Sequence, residues 1–215
     1  MSTGTIEQLK MAVLEYDREE AASLARKAIE EGVSPIEGLA ALTDAIRQVG
    51  DGYTRGELWL PDLVGAANAT EGATPVFEEE LQRQGVERES AGTVILGTVY
   101  GDIHSIGKTM VGSLLTADGF VVYDIGIDVP AEKFVEEVTT RQPDILAMSS
   151  LLTTTAPEQR KVISILKEAG LRDKVKIMVG GGAITQEFAD EIGADGFETT
   201  APGAAKLARK LVSKK

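Results

Sequence analysis

The sequence predicts an α + α/β protein, in which a helical bundle precedes a doubly wound parallel sheet of five strands. Two observations predict this fold class. Residues 1–85 carry apolar side chains at helical spacing and contain no strand candidate, whereas residues 92–215 alternate short β-branched runs with helical stretches. A polar, charged stretch from Gly85 to Ala91 separates the two patterns. We therefore predict a bundle over residues 1–88 and an α/β domain over residues 89–215.

The first half of the chain predicts four helices joined by short links, which is typical of a small bundle. The first helix has apolar residues at helical spacing up to Leu14. Asp17 followed by Glu20 is typical of a capping box at the start of the second helix. Ser34 followed by Pro35 predicts the start of the third, with serine as the N-cap and proline in the first turn.

The fourth helix is predicted to begin after Leu60 and Pro61. Gly72 and Pro75 are poor helix residues, so we expect them to bend or divide it. Trp59 stands immediately before this helix. Because a tryptophan ring buries a large apolar area, we favour packing in the core over contact with a ligand for this residue.

Strand-like and helical segments alternate along the second half of the chain. We predict strands over 93–99, 120–125, 144–149, 175–179 and 196–198, and helices over 108–118, 131–141, 157–169, 185–192 and 202–212. This alternation indicates a parallel sheet with a helix after each strand. In such sheets ligands bind in the loops at the carboxyl ends of the strands.

Composition narrows the possible chemistry. The 215 residues include no cysteine and one histidine, which excludes disulfides, iron–sulfur clusters, thiolate zinc and multi-histidine metal sites. A bound metal would need most of its ligands from elsewhere, for example from a macrocycle. The net charge of −12, with basic residues concentrated only in the C-terminal tail, argues against nucleic acid as a partner. We expect no membrane span and no secretion signal, and hence a cytoplasmic protein.

The single histidine, His104, lies in the segment Gly101-Asp102-Ile103-His104-Ser105-Ile106-Gly107, on the loop that leaves the first predicted strand. Neutral imidazole is a strong ligand for transition metals, and Asp102 is well placed to hydrogen-bond its other ring nitrogen. Gly107-Lys108-Thr109 also looks like the end of a phosphate-binding P-loop. That motif needs four residues between its glycines, whereas Gly101 and Gly107 have five between them.

Two further loops are predicted at the same edge of the sheet. The third strand runs into the hydroxyl-rich segment Ser149 to Thr155, although Thr153 to Thr155 could merely cap the next helix. The fourth strand runs into Gly180-Gly181-Gly182, whose missing side chains leave room for another molecule. Asp124 and Asp128 suggest a site for a hard metal ion, but we favour loop and cap roles for them.

These segments together resemble a known signature. Asp102-x-His104-x-x-Gly107, Ser149-x-Leu151 and Gly180-Gly181 look like the motifs of cobalamin-binding domains. Over nearly its whole length the chain resembles the corrinoid proteins of anaerobic methyltransferase systems and the cobalamin module of methionine synthase. The resemblance implies a flavodoxin- or Rossmann-like cobalamin-binding domain, with the helical bundle acting as a cap over the cofactor.

The resemblance also implies roles for individual residues. Cobalamin would bind with its benzimidazole displaced and with its cobalt held from below by His104, while Asp102 accepts the other N–H of the imidazole. Thr155 stands where methionine synthase has a serine, and would donate a hydrogen bond to Asp102; these three are the implied catalytic residues. The implied cofactor contacts also include Gly101, Ile103, Ser105, Ile106, Gly107, Ser149, Leu151, Thr153, Gly180, Gly181, Gly182, Tyr53 and Leu60.

In that family the nucleotide tail of the cofactor would pass between the Ser149 loop and the Gly180-Gly181 loop. Tyr53 and Leu60 would lie against the methyl-bearing face. The implied function is a methyl carrier that alternates between cob(I)alamin and methylcobalamin. It would take a methyl group from a substrate-specific methyltransferase and pass it to a second methyltransferase, with tetrahydrofolate or a thiol as acceptor. A reductive activator would keep it active, and alone it would turn nothing over.

Two alternative functions share the sheet domain. The small subunit of a cobalamin-dependent mutase would bind adenosylcobalamin and generally lacks a bundle of this kind. A cobalamin-binding sensor would carry a DNA-binding segment, which the net charge of −12 disfavours. The methyl donor is not encoded in these motifs, because substrate selectivity belongs to the partner enzyme.

Overall fold

A computed structural model describes residues 2–86 and 90–213 of the chain. The chain divides into two compact units, Met1–Glu89 and Ser90–Lys215. The predicted domain boundary between residues 88 and 89 lies outside the described residues, as do Lys214 and Lys215 of the basic tail. Within the described part of the chain, no helix combines the length and the apolar character that a bilayer span requires.

The first unit contains the four expected helices. They are α1 (Ser2–Leu14), α2 (Arg18–Glu30), α3 (Pro35–Thr54) and α4 (Leu60–Arg83). The Asp17 side chain caps α2 by accepting a hydrogen bond of 2.9 Å from the backbone N–H of Glu20. Ser34 is the N-cap residue of α3, but its side chain makes no capping hydrogen bond. Apolar side chains at helical spacing, among them Leu9, Leu42 and Leu63, form the buried core.

Helix α4 runs unbroken through Gly72 and Pro75, so the expected division of this helix was wrong. The structure gives two reasons in packing. A Cβ atom at Gly72 would lie 2.7 Å from Cγ of Arg18, so glycine allows close approach of α2. A Cβ atom at Gly38 would lie 2.3 Å from the ring of Phe77, which is completely buried. This tertiary packing on both sides of the proline outweighs the loss of one backbone donor.

The expectation that Trp59 packs in the core was also wrong, because its side chain is 72% exposed. Trp59 is the N-cap residue of α4 and has an extended backbone. Its backbone N–H donates a hydrogen bond of 2.6 Å to Oδ2 of Asp62. The position that caps the helix therefore fixes the backbone of Trp59 and leaves its indole outside the apolar core.

The second unit is a five-stranded sheet in which all pairs of neighbouring strands are parallel. Its strands are β1 (Thr93–Thr98), β2 (Val121–Asp124), β3 (Ile145–Ser149), β4 (Lys176–Gly180) and β5 (Gly196–Glu198). Its helices are α5 (Ile106–Ala117), α6 (Ala131–Arg141), α7 (Ala156–Glu168), α8 (Gln186–Ile192) and α9 (Ala201–Val212), and a short 3₁₀ helix covers Arg172–Lys174. The predicted strands and helices are confirmed, with bounds that differ by at most two residues.

The strand order is β2-β1-β3-β4-β5. Helices α5 and α9 pack together, and α6, α7 and α8 pack together over a core that includes Phe134, Leu146 and Ile163. The chain leaves β1 in one direction across the sheet and leaves β3 in the other, so a topological switch point lies between these two strands. Thr98 and Ser149 are register partners at this carboxyl edge. In open α/β sheets ligands bind at this point.

Candidate functional site

The loop between β1 and α5 presents His104 at the switch point. Nδ1 of His104 lies 2.8 Å from Oδ1 of Asp102, and the backbone N–H of His104 donates to the same oxygen at 3.0 Å. The histidine side chain is 48% exposed, whereas that of Asp102 is completely buried. Among the described residues Nε2 of His104 has no hydrogen-bond partner. The imidazole therefore offers one outward nitrogen, which fits the axial ligand of a macrocyclic metal.

The other carboxylate oxygen of Asp102 joins this loop to the loop after β3. Oδ2 accepts hydrogen bonds from the backbone N–H groups of Leu151, at 2.7 Å, and Leu152, at 3.4 Å. The hydroxyl of Thr155 donates to the same oxygen at 2.9 Å. Thr155 occupies the N-cap position of α7 but makes no capping hydrogen bond. Its side chain is directed to the carboxylate instead, and the three residues implied to be catalytic lie in one hydrogen-bonded row.

The environment of Asp102 keeps its carboxylate ionised. Burial raises the pKa of this group, but the hydrogen bonds donated by His104, Leu151 and Thr155 outweigh that effect and lower the pKa to about 2. An ionised Asp102 can only accept hydrogen bonds, so it selects the tautomer of His104 that carries its proton on Nδ1. That tautomer leaves the lone pair on Nε2.

Ser150 extends this row and was missed as a functional residue in the sequence. Its Oγ lies 2.8 Å from Oγ1 of Thr155, and both hydroxyls are buried. Thr153 and Thr154, which lie between them in the chain, are exposed. The only available signal was the density of hydroxyl residues in this loop, which does not reveal which of them point inward.

The Gly180-Gly181-Gly182 turn lies directly against the loop after β3. Gly180 O accepts a hydrogen bond of 3.0 Å from the backbone N–H of Ser150. Gly181 has φ +113°, and a Cβ atom there would lie 2.0 Å from Ser150 O. In this structure the space left by the missing side chain is filled by the backbone of Ser150. Passage of a nucleotide tail between these two loops stays a prediction.

An exposed apolar rim surrounds His104. Ile103 is 70% exposed and Ile106 is 64% exposed, and Tyr100, Leu151 and Leu152 are exposed as well. A Cβ atom at Gly107 would meet nothing within 4 Å, so the start of α5 is open. Large apolar side chains around a free imidazole fit the flat, largely apolar body of a corrin ring. The other predicted contacts in these loops are exposed at Gly101 and Thr153 and half-buried at Ser105 and Ser149.

Local contacts argue against the two competing interpretations of these loops. The ammonium of Lys108 is buried and paired with the Asp124 carboxylate, so it does not point into an open phosphate-binding loop. Asp124 also accepts from Gly126 N–H at 2.9 Å, and Asp128 accepts from Gly101 N–H at 2.7 Å. Both aspartates have the expected loop roles, although Asp128 caps no helix. No cluster of three potential metal ligands occurs in residues 2–86 and 90–213.

The two predicted contact residues of the first unit flank the turn between α3 and α4. Tyr53 lies in the last turn of α3 and is half-buried, and Leu60 is the exposed first residue of α4. The turn is tied to α3 because Gly52 O accepts a hydrogen bond of 3.0 Å from Glu57 N–H. Contact of Tyr53 and Leu60 with a cofactor stays a prediction.

The strand order and the loops at its switch point define a flavodoxin-like ligand-binding domain. Comparison with known families makes the assignment specific. One model described as a B12 binding domain matches residues 92–206, and a second model with the same description matches residues 5–76. The chain belongs to the family of B12-binding proteins, and cobalamin is its cofactor. The recognition made from the three sequence motifs is thereby confirmed.

Relatives and solved structures agree with this assignment. A corrinoid protein of Desulfitobacterium hafniense (strain Y51) is 41% identical over the full length of both chains. The trimethylamine corrinoid protein of Methanosarcina barkeri is 42% identical over 93% of this chain and 92% of its own length.

Two solved structures share the fold. The methanol:cobalamin methyltransferase complex MtaBC from M. barkeri matches with a TM-score of 0.85 and 30% identity, over 99% of this chain and 81% of the matched chain. A cobalamin-binding protein from D. hafniense DCB-2 matches with a TM-score of 0.77 and 27% identity, over 96% of this chain and 98% of that one. The predicted fold class, a helical bundle before a five-stranded parallel sheet, is confirmed.

Proposed function

We propose that this protein is a corrinoid methyl carrier, which takes a methyl group from a substrate-specific methyltransferase and passes it to a second methyltransferase. The observation that carries the proposal is the free Nε2 of His104, backed by the buried carboxylate of Asp102 in a B12-binding fold. Support also comes from relatives named trimethylamine and dimethylamine corrinoid proteins and from the methyltransferase complex among the structural neighbours. When bound, cobalamin supplies a cobalt centre that can accept and release the methyl group.

In this proposal Nε2 of His104 would ligate the cobalt. Asp102 holds the imidazole in the required tautomer, because the carboxylate accepts a hydrogen bond from Nδ1–H. Thr155 and the backbone N–H of Leu151 keep that carboxylate in place from the other side. The buried Asp102 carboxylate therefore fixes the orientation of the His104 ring, and that orientation does not depend on solvent.

The apolar rim has a separate task. Ile103, Ile106 and Leu151 would lie against the macrocycle and exclude water from the imidazole–metal contact. We further propose that Tyr53 and Leu60 would contact the bound cofactor, as the resemblance implies.

The proposed final acceptor is tetrahydrofolate or a thiol cofactor, and the proposed third partner is a reductive activator. Cobalt chemistry at low potential requires a reducing compartment, so we propose the cytoplasm as the location. On this account the chain alone has no turnover. Each transfer needs a partner enzyme, and the identity of the methyl donor resides in that partner.

Replacement of His104 tests the proposal. We expect the full chain to take up methylcobalamin and to show the visible spectrum of an imidazole-ligated corrinoid with its own base displaced. The His104→Ala variant should lose that signature, whereas Thr154→Ala, which removes an exposed hydroxyl of a neighbouring loop, should keep it. An unchanged spectrum in His104→Ala would refute the ligand assignment. Preferential uptake of adenosylcobalamin would favour the mutase alternative instead.

A further inference from the structure

The hydroxyl of Ser150 is a buried group for which the proposed function has no role. Among the described residues it makes no hydrogen bond to His104 or Asp102; its shorter hydrogen bond, of 2.8 Å, is with the hydroxyl of Thr155, and a longer one of 3.4 Å goes to Leu152 O. We propose that Ser150 is a positioning residue, which fixes the direction of the Thr155 hydroxyl and thereby sets how strongly Asp102 holds the Nδ1 proton of His104. The inference rests on the proposed function, because it concerns the residue that we take as the cobalt ligand.

The number of hydroxyl protons limits which hydrogen bonds this row can make at one time. Thr155 has one hydroxyl proton and three acceptors within reach: Oδ2 of Asp102 at 2.9 Å, the carbonyl oxygen of Leu152 at 3.1 Å and Oγ of Ser150 at 2.8 Å. Ser150 likewise has Thr155 Oγ1 at 2.8 Å and Leu152 O at the longer distance of 3.4 Å. If Thr155 donates to the carboxylate, Ser150 must donate to Thr155, because two hydroxyl oxygens share one proton between them in a hydrogen bond.

This arrangement gives the row one direction, from Ser150 to Thr155 to Asp102. A hydroxyl that accepts a hydrogen bond becomes a better donor, so Ser150 strengthens the bond from Thr155 to the carboxylate. Without Ser150, the Thr155 proton is free to divide its time between Asp102 and the Leu152 carbonyl. Asp102 then loses part of one donor, and more of its negative charge is available to the Nδ1 proton of His104.

The surroundings of Ser150 keep its hydroxyl in this position. The residue is completely buried, its backbone N–H donates to Gly180 O at 3.0 Å, and Gly181 packs against its backbone. Solvent therefore has no access to replace the hydroxyl. The fold holds Ser150 through its backbone on one side and leaves its side chain pointing at Thr155.

The sole histidine of the chain makes the first test simple. In the full chain without added cobalamin, the ring nitrogens of His104 give the only imidazole ¹⁵N signals. For Ser150→Ala we expect Nδ1 to remain protonated and its resonance to move to higher frequency, as a more strongly held proton requires. Thr154→Ala, the matched control with an exposed hydroxyl on the same loop, should leave both signals unchanged.

A spectroscopic measurement with methylcobalamin bound provides the second readout. A stronger pull on the Nδ1 proton makes the imidazole a better donor, so Ser150→Ala should raise the equilibrium ratio of histidine-ligated to unligated corrinoid by roughly threefold. In the Thr155→Val background, the same substitution should have no effect, because Ser150 acts through the Thr155 hydroxyl. Ser150→Cys, which keeps a weak donor, should give an intermediate ratio and serves if the alanine variant does not fold.

The outcomes separate this inference from the proposed function. Unchanged ¹⁵N signals in Ser150→Ala, a fall in the ligated fraction, or an equal effect in the Thr155→Val background would each overturn the role of Ser150. A merely structural role would change the thermal unfolding temperature and leave the Nδ1 resonance in place. Failure of His104→Ala to alter the cobalamin spectrum would refute the ligand assignment while leaving the ¹⁵N result of Ser150→Ala intact.

Discussion

Replacing Asp102 by asparagine should remove a pH-dependent part of the stability of the sheet domain. The folded structure lowers the pKa of Asp102 from 3.8 to about 2. One pKa unit corresponds to about 1.4 kcal/mol, so this group stabilises the folded chain by about 2 kcal/mol at neutral pH. Because the pKa is lowered, the stabilisation is present in full above the unfolded value and is lost as the pH falls towards 2.

The asparagine side chain has nearly the same shape but cannot accept at both ends. Its amide nitrogen must face either the N–H groups of His104 or the N–H of Leu151 and the hydroxyl of Thr155, and a donor then meets a donor. We therefore expect Asp102→Asn to lower the free energy of unfolding at pH 7 by at least about 2 kcal/mol. The difference from the unsubstituted chain should narrow by about 1.5 kcal/mol between pH 6 and pH 2.5.

Urea unfolding of the cofactor-free chain, followed by far-ultraviolet circular dichroism at several pH values, measures this difference. Asp173→Asn is the matched control, since Asp173 is an exposed aspartate of the same unit. For this control, the free energy of unfolding should change with pH in the same way as it does for the unsubstituted chain. A gap for Asp102→Asn that keeps the same size from pH 6 to pH 2.5 would show that hydrogen bonding to the ionised carboxylate is not its source.

Three further substitutions test local interactions inside single units, and urea unfolding measures the change in the free energy of unfolding. Gly181→Ala should cost about 3 kcal/mol, because the new Cβ would lie 2.0 Å from a backbone oxygen at φ +113°, whereas Gly107→Ala, which meets nothing within 4 Å, should cost nothing. Asp124→Ala should cost about 3 kcal/mol by leaving the buried Lys108 ammonium unpaired, and adding Lys108→Met should recover most of that loss. Asp17→Ala should cost about 1 kcal/mol through loss of the α2 cap, and an unchanged urea midpoint would contradict the capping role.

Local patterns were sufficient for the helices and strands but not for their arrangement. The strands of the second half are marked by short apolar runs between helical stretches, and a doubly wound sheet follows from that alternation. The order β2-β1-β3-β4-β5 depends on pairing between distant segments, which periodicity does not encode. Gly72 and Pro75 show that a local pattern can also mislead, because they predicted a bend or division of the helix, and α4 is not divided. Their helix propensity is a local cost, and the packing of Phe77 and Gly72 against neighbouring helices outweighs it.

Motif spacing identified the histidine loop, because the partners Asp102 and His104 are only two residues apart and share a loop. It did not separate the hydroxyls of the loop after β3. Ser150 and Thr155 are buried and bonded to each other, while Thr153 and Thr154 between them are exposed. Which hydroxyl is buried depends on the three-dimensional course of the loop. A loop has no regular alternation of buried and exposed positions, so the sequence does not predict which hydroxyl this is.

The apolar rim around His104 affects the solubility and stability of the protein before cobalamin binds. Ile103 and Ile106 expose apolar surface beside the switch point of the sheet, and proteins with such exposed surface tend to aggregate. A ligand that covers this rim also stabilises the folded chain by mass action. In a cell that makes the polypeptide faster than it acquires corrinoid, the cofactor-free protein would therefore accumulate. That form has a lower free energy of unfolding and a greater tendency to aggregate than the cofactor-bound protein.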